Sequence, residues 1–175
     1  MEFNRDVFNE EYSKHTAYTK HVIDAANKIT KPYTEELEKC IERVLQASRG
    51  NGTLDLDYAE LEKLAVRIPS LCLYIQFRLN EYELRSNLES LLVDGQVVDA
   101  LEELRGQKGD AREKMKRAEA SQFKSRVVEL LDAQVCANLK SIILRADKVY
   151  EGIKKILDAR MRENEFNRKS QKYNT

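Results

Sequence analysis

The chain has 175 residues, with 30 Lys and Arg set against 30 Asp and Glu, so its formal net charge is zero. A composition of 42% hydrophobic residues, only 2 Pro and 6 Gly, and a mean hydropathy of −0.62 suits one buried core and sets aside a membrane-spanning helix. Cys40, Cys72 and Cys136 are odd in number and lack paired spacing, which reads as reduced core thiols rather than a disulfide or metal framework.

The zero charge is a cancellation. Residues 35–104 carry 15 acidic and 7 basic side chains, residues 105–175 carry 10 and 18, and residues 1–34 hold 5 of each. Such asymmetry suits an anionic partner, self-association, or both. At the start of the chain charges recur every few residues with no apolar stretch behind them, which is not the pattern of a signal peptide and makes cytoplasmic residence the expectation.

In chain order, residues 5–30 are predicted as a first helix with a thin apolar stripe through Phe8, Tyr12, Val22, Ala26 and Ile29, interrupted at Lys31-Pro32. A second helix over 34–48 aligns Leu37, Ile41, Val44 and Leu45. Gly50-Asn51-Gly52 is a break, because glycine tolerates the positive φ of tight turns. Residues 1–50 therefore form an N-terminal helical segment. Asp57 with Glu60 three residues on opens a short helix as a capping box. Pro69 should kink or end it, and a further helix over 70–92 should close at Asp94-Gly95. A short piece over 97–105 completes an acidic amphipathic segment, 53–104.

Gly106-Gln107-Lys108-Gly109 is the second break, and Asp110 with Glu113 repeats the capping chemistry. From Ala111 to about Phe166 only Gly152 interrupts the helical pattern, and such a rod would be about 80 Å long. This basic helix and its polar tail occupy 110–175. Val128, Val135, Ile142, Val149 and Ile156 recur every seven residues, with Leu139, Ala146 and Ile153 in a neighbouring row and Cys136, Ile143, Tyr150 and Leu157 in a third. Three rows per heptad exceed the two-row seam of a dimeric coiled coil. The expected fold is thus all-α, an extended helical bundle with a long, coiled-coil-like C-terminal helix. Val128, Val135, Leu139, Ile142, Val149, Ile153 and Ile156 are the candidate oligomerisation surface.

Catalytic signatures fail on chemistry. His15 and His21 are the only histidines, and the Glu-x-x-His pairs of a di-iron bundle are missing. Asp55 and Asp57 lack the glycine and bidentate Glu of a calcium loop, and neither glycine break carries the Gly-Lys-Ser/Thr of a phosphate loop. No enzyme activity, metal or cofactor is expected. What remains is charge: Arg105, Lys108, Arg112, Lys114, Lys116, Arg117, Lys124 and Arg126 form the most basic stretch, and Lys140, Lys148, Lys154 and Lys155 continue down the helix outside the apolar rows. Cations every turn or two can follow a phosphodiester backbone through counterion release without reading sequence. Tyr74, Phe77 and Tyr82 read as packing residues, and Tyr150 as core.

Three pieces resemble the UvsY-type recombination mediators of tailed phages. One runs from Asp55-Leu56-Asp57-Tyr58-Ala59-Glu60-Leu61-Glu62 to Ile68-Pro69-Ser70-Leu71 and Tyr74, another is the break Gly106-Gln107-Lys108-Gly109-Asp110, and the third runs from Val128 through Asp132 to Ile153, Ile156 and Arg160. The resemblance covers residues 55–166. It departs at 97–104, where this chain is acidic rather than basic and aromatic, and residues 1–50 have no counterpart. It implies a ring-like homo-oligomer that binds single-stranded DNA and helps load a recombinase onto strands covered by single-strand-binding protein, in a host cytoplasm if the chain is phage-encoded. The other reading left open is a helical interaction factor, an inhibitor, scaffold or assembly protein that grips a protein through its acidic region without touching nucleic acid.

Overall fold

A computed structural model describes the backbone of residues 5–48, 56–106 and 110–173, and the side chains of 16–48, 56–105, 110–120, 122–123 and 125–169. Among the described residues there are four α-helices, one 3-10 turn and no strand: α1 (Arg5–Ala47), α2 (Tyr58–Glu103), the turn Leu104–Gly106, α3 (Ala111–Ser121) and α4 (Phe123–Tyr173). The fold is all-α. The break at 50–52 lies outside the described residues, as does the stretch 107–109.

Half of each expected capping box forms: the aspartate caps, but neither glutamate reaches back to the cap residue's N–H. Asp57 Oδ1 accepts from the Glu60 N–H at 2.6 Å, and Asp110 Oδ1 accepts from the Glu113 N–H at 2.7 Å, each satisfying one of the orphan donors of a first turn. Neither Glu60 nor Glu113 is left idle on the surface: the first pairs with Arg43 and the second with Arg117.

Three expected helix ends are absent. α1 runs through Pro32 and α2 through Pro69, although proline inside a helix costs about 3 kcal/mol. Packing on either side outweighs that cost: Thr30, Thr34 and Leu37 are buried around Pro32, and Ile68 and Ile75 around Pro69. α2 also passes Asp94-Gly95, where the carboxylate that was expected to close a turn instead holds Arg126 at 3.2 Å. One expected continuity fails as well. The last helix is split at Gln122, whose φ of −96° and ψ of 14° leave the helical region. Its N–H donates to the Glu119 carbonyl at 3.2 Å and its own carbonyl accepts from the Arg126 N–H at 3.0 Å, so one residue ends α3 and opens α4.

The chain divides into two compact units, each assembled from stretches distant in sequence. The first unit comprises Met1–Pro32 and Leu79–Asn138, the second Tyr33–Arg78 and Leu139–Thr175. In the second unit α1 buries Leu37, Ile41 and Val44, α2 buries Leu61, Leu64, Ile68 and Ile75, and α4 buries Leu139, Ile142, Ala146 and Ile153. Fully burying one such Leu or Ile is worth about 1.5–3 kcal/mol. Arg43 grips Glu60 with two nitrogens at 2.7 and 3.1 Å, Arg67 pairs with Glu36, and Arg160 donates to the Leu56 carbonyl at 3.3 Å.

The first unit has a thinner core of Ala26, Leu79, Val93, Val97, Ala118, Val135 and Cys136, together with the buried carboxylate of Asp132. Polar and aromatic contacts join its helices: Asn138 donates to Asn27 at 2.9 Å, and the rings of Tyr18 and Phe123 lie 5.6 Å apart. No helix among the described residues is long and apolar enough to cross a membrane.

Candidate nucleic-acid interface

The basic residues fall into two groups, one in each unit. In the first unit Arg105 sits in the turn Leu104–Gly106 and is exposed, while α3 presents Arg112, Lys114, Lys116 and Arg117. α3 forms because Asp110 caps it and because Ala118, the one buried side chain among its described residues, anchors it. The rest of its circumference is left to charge. Arg117 is turned onto Glu113 at 2.7 Å, and Lys114 reaches back to the Arg105 carbonyl at 3.5 Å. Arg112 and Lys116 are four residues apart, hence on one face, both exposed and with no carboxylate in ion-pairing distance among the described residues.

Arg126 stands apart from this group. It is clamped between Asp94 at 3.2 Å and Glu129 at 3.0 Å, and the hydrogen bond to Glu129 is the main reason its guanidinium is held still more firmly in the charged form. Arg126 is thus engaged by two carboxylates, unlike Arg112 and Lys116. Lys108 and the side chain of Lys124 lie outside the described residues.

The second unit carries Lys140, Lys148, Lys154 and Lys155, all exposed on α4. Lys148 and Lys155 are two turns apart in one row and have no carboxylate in ion-pairing distance among the described residues. Lys154 Nζ sits 5.6 Å from the centroid of the Tyr150 ring, a cation–π contact. The oligomerisation candidates are mostly interior: Val135, Leu139, Ile142 and Ile153 are buried by the chain itself, and Val128, Val149 and Ile156 are half-buried.

Sequence reasoning missed an aromatic cluster in the second unit. The Arg78 guanidinium lies 5.4 Å from the Tyr33 ring centroid and 5.6 Å from that of Tyr74, and the two rings are 6.3 Å apart. Tyr74 and Phe77, read as packing residues, are exposed, Phe77 by 73%. Periodicity could not reveal this, since both occupy helical spacing beside truly buried neighbours. Tyr150 is half-buried and lines an open cleft of about 340 Å³ with Ile68, Cys72, Ile143 and Asp147. Burial, with a smaller contribution from Asp147, pushes the Cys72 thiol up to about 11 and makes it a poor nucleophile. No group of three or more His, Cys, Asp or Glu side chains that could hold a metal occurs among the described residues.

No protein family, curated protein or solved structure matches this chain. The site must therefore be read from its own chemistry.

Proposed function

We propose that this chain is a non-enzymatic, single-stranded-DNA-binding protein of the recombination-mediator kind. One observation carries the reading: α3 holds up Arg112 and Lys116 on one face, exposed and with no carboxylate in ion-pairing distance among the described residues. Cations so placed gain affinity for phosphates by releasing counterions. Lys148 and Lys155 offer the same chemistry in the second unit, and the Tyr33, Tyr74 and Arg78 cluster supplies π-faces on which bases stack without sequence preference.

The resemblance of residues 55–166 to phage mediators extends the proposal to its partners: a recombinase, a single-strand-binding protein and further copies of this chain. With Val135, Leu139, Ile142 and Ile153 occupied internally, contacts between copies draw on other surfaces.

Titration with fluorescent single-stranded DNA at several salt concentrations tests the proposal. The expected result is an affinity that falls steeply with salt, with a slope reduced by about 1.4 in the double variant Arg112→Ala/Lys116→Ala, since each lost phosphate contact removes about 0.7. Affinity that is absent, or indifferent to salt, overturns it.

A further inference from the structure

Residues 82–92 of α2, all in the first unit, are arranged inside out. The half-buried positions are Tyr82, Glu83, Ser86, Glu89 and Ser90, whereas Leu84, Leu88 and Leu91 are exposed by 62, 52 and 70%. The inward side is taken by the buried Leu79, Val93 and Val97, and ion pairs flank it: Arg85, itself exposed, stands 2.8 Å from the buried Asp132 of α4, and Asp94 holds Arg126. The leucines consequently form an outward row that Val98, also exposed, continues seven residues past Leu91. Spacings of four, three and seven are those of a helix-packing seam. An apolar seam of about four turns on an otherwise charged helix marks an interaction surface.

Its rim says what would cover it. Residues 79–104 carry 7 acidic side chains and a single basic one, Arg85, which is already engaged by Asp132; Glu83 and Glu89 lie inward and Asp94 holds Arg126, so the outward acids are Glu81, Asp99, Glu102 and Glu103. Asp99, Glu102 and Glu103 are exposed at the end of the row. Pairing this face with the same face of a second copy would set carboxylates against carboxylates, a repulsion that a stable interface avoids. α3, the nearest basic helix in sequence, offers only Met115 as an exposed large apolar side chain, too little to fill the seam.

We infer that the leucine face of α2 docks an amphipathic helix from a protein partner, apolar along one stripe and lined with lysine or arginine on either side. Leu88 and Leu91 fill the centre of the contact, and Asp99 and Glu102 select for positive charge. The inference stands on α2 alone and does not depend on DNA binding by α3.

The probe is a pair of synthetic, fluorescein-labelled helical peptides with the same leucine stripe, one flanked by lysines and one by glutamates, followed by anisotropy on the full chain. The lysine peptide should bind at least about tenfold more tightly than its glutamate twin, and Leu88→Ser/Leu91→Ser should weaken it by about tenfold or more. Asp99→Lys/Glu102→Lys, which leaves the packing untouched, should narrow the difference between the peptides while DNA affinity does not fall. Equal binding of both peptides, no binding, or binding unmoved by either variant overturns the inference. So does a drop in light-scattering mass of Leu88→Ser/Leu91→Ser relative to the unaltered chain, which would show that the face is covered by a second copy.

Discussion

The two units bury their large aliphatic side chains to different extents. In the second unit Leu37, Leu61 and Leu139 with Ile41, Ile68, Ile75 and Ile153 are all but inaccessible, although Leu45, Leu73 and Leu144 stay exposed. In the first, Leu79 is the only leucine buried among the described residues, no isoleucine joins it there, and Leu84, Leu88, Leu91 and Leu92 are exposed. The same helix, α2, serves both arrangements. Burial of leucine is therefore set by what each turn meets: here Leu79, Val93 and Val97 take the inward side of α2, Arg85 and Asp94 flank it with ion pairs to α4, and the leucines are left outward.

That arrangement leaves strain in the first unit. Arg85 Nε and Asp132 Oδ2 are within ion-pair distance at 2.8 Å, yet Oδ2 accepts no hydrogen bond among the described residues. The distance alone overstates the pair, because an N–H not aimed at the oxygen cannot replace the water that oxygen has lost. Desolvation accordingly pushes the Asp132 carboxyl above its usual range, Arg85 opposes the shift and Glu89 adds to it.

The largest effect expected from this contrast is in the second unit. Ile153→Ala should cost about 2–5 kcal/mol in urea denaturation, the range for truncating a fully buried aliphatic side chain. Asp132→Asn tests the first unit. A carboxyl whose pKa is raised by folding binds its proton more tightly in the folded state, so its contribution to stability is lost as pH rises through the window above the usual carboxylate value. The variant should therefore be more stable than the parent at pH 7, and the two should converge as the pH is lowered into the carboxylate range; thermal melts across pH read both. Gly95→Ala and Gly152→Ala should each stabilise by up to about 1 kcal/mol, because nothing stands within 4 Å of an added Cβ at either helical position. Smallest of all, Leu88→Ala should stay within about 0.5 kcal/mol of the parent, and a loss like that of Ile153→Ala would mean the leucine is buried after all.

The helical class was legible because period and breaker content speak for whole segments, and Asp57 and Asp110 were legible because a cap depends on three neighbouring residues. Pro32, Pro69 and Gly95 misled because their local penalties are smaller than the packing of the turns around them. Gln122 gave no warning, being neither Gly nor Pro. For the candidate site, α3's exposed Arg112 and Lys116 could be read from the charge run. Arg126 was only partly separable from them: Glu129, three residues on, is visible in the sequence, but its other partner Asp94 lies 32 residues away. The outward leucines escaped for a similar reason: a periodic apolar row looks the same whether it faces a core or solvent.

The most direct test compares the two surfaces on one ligand. Fluorescent single-stranded DNA is titrated at rising salt against the unaltered chain, Arg112→Ala/Lys116→Ala and Leu88→Ser/Leu91→Ser. A basic α3 that contacts phosphates predicts salt-dependent binding that the first variant weakens and the second retains. Binding lost equally in both, or never present in the unaltered chain, would contradict it.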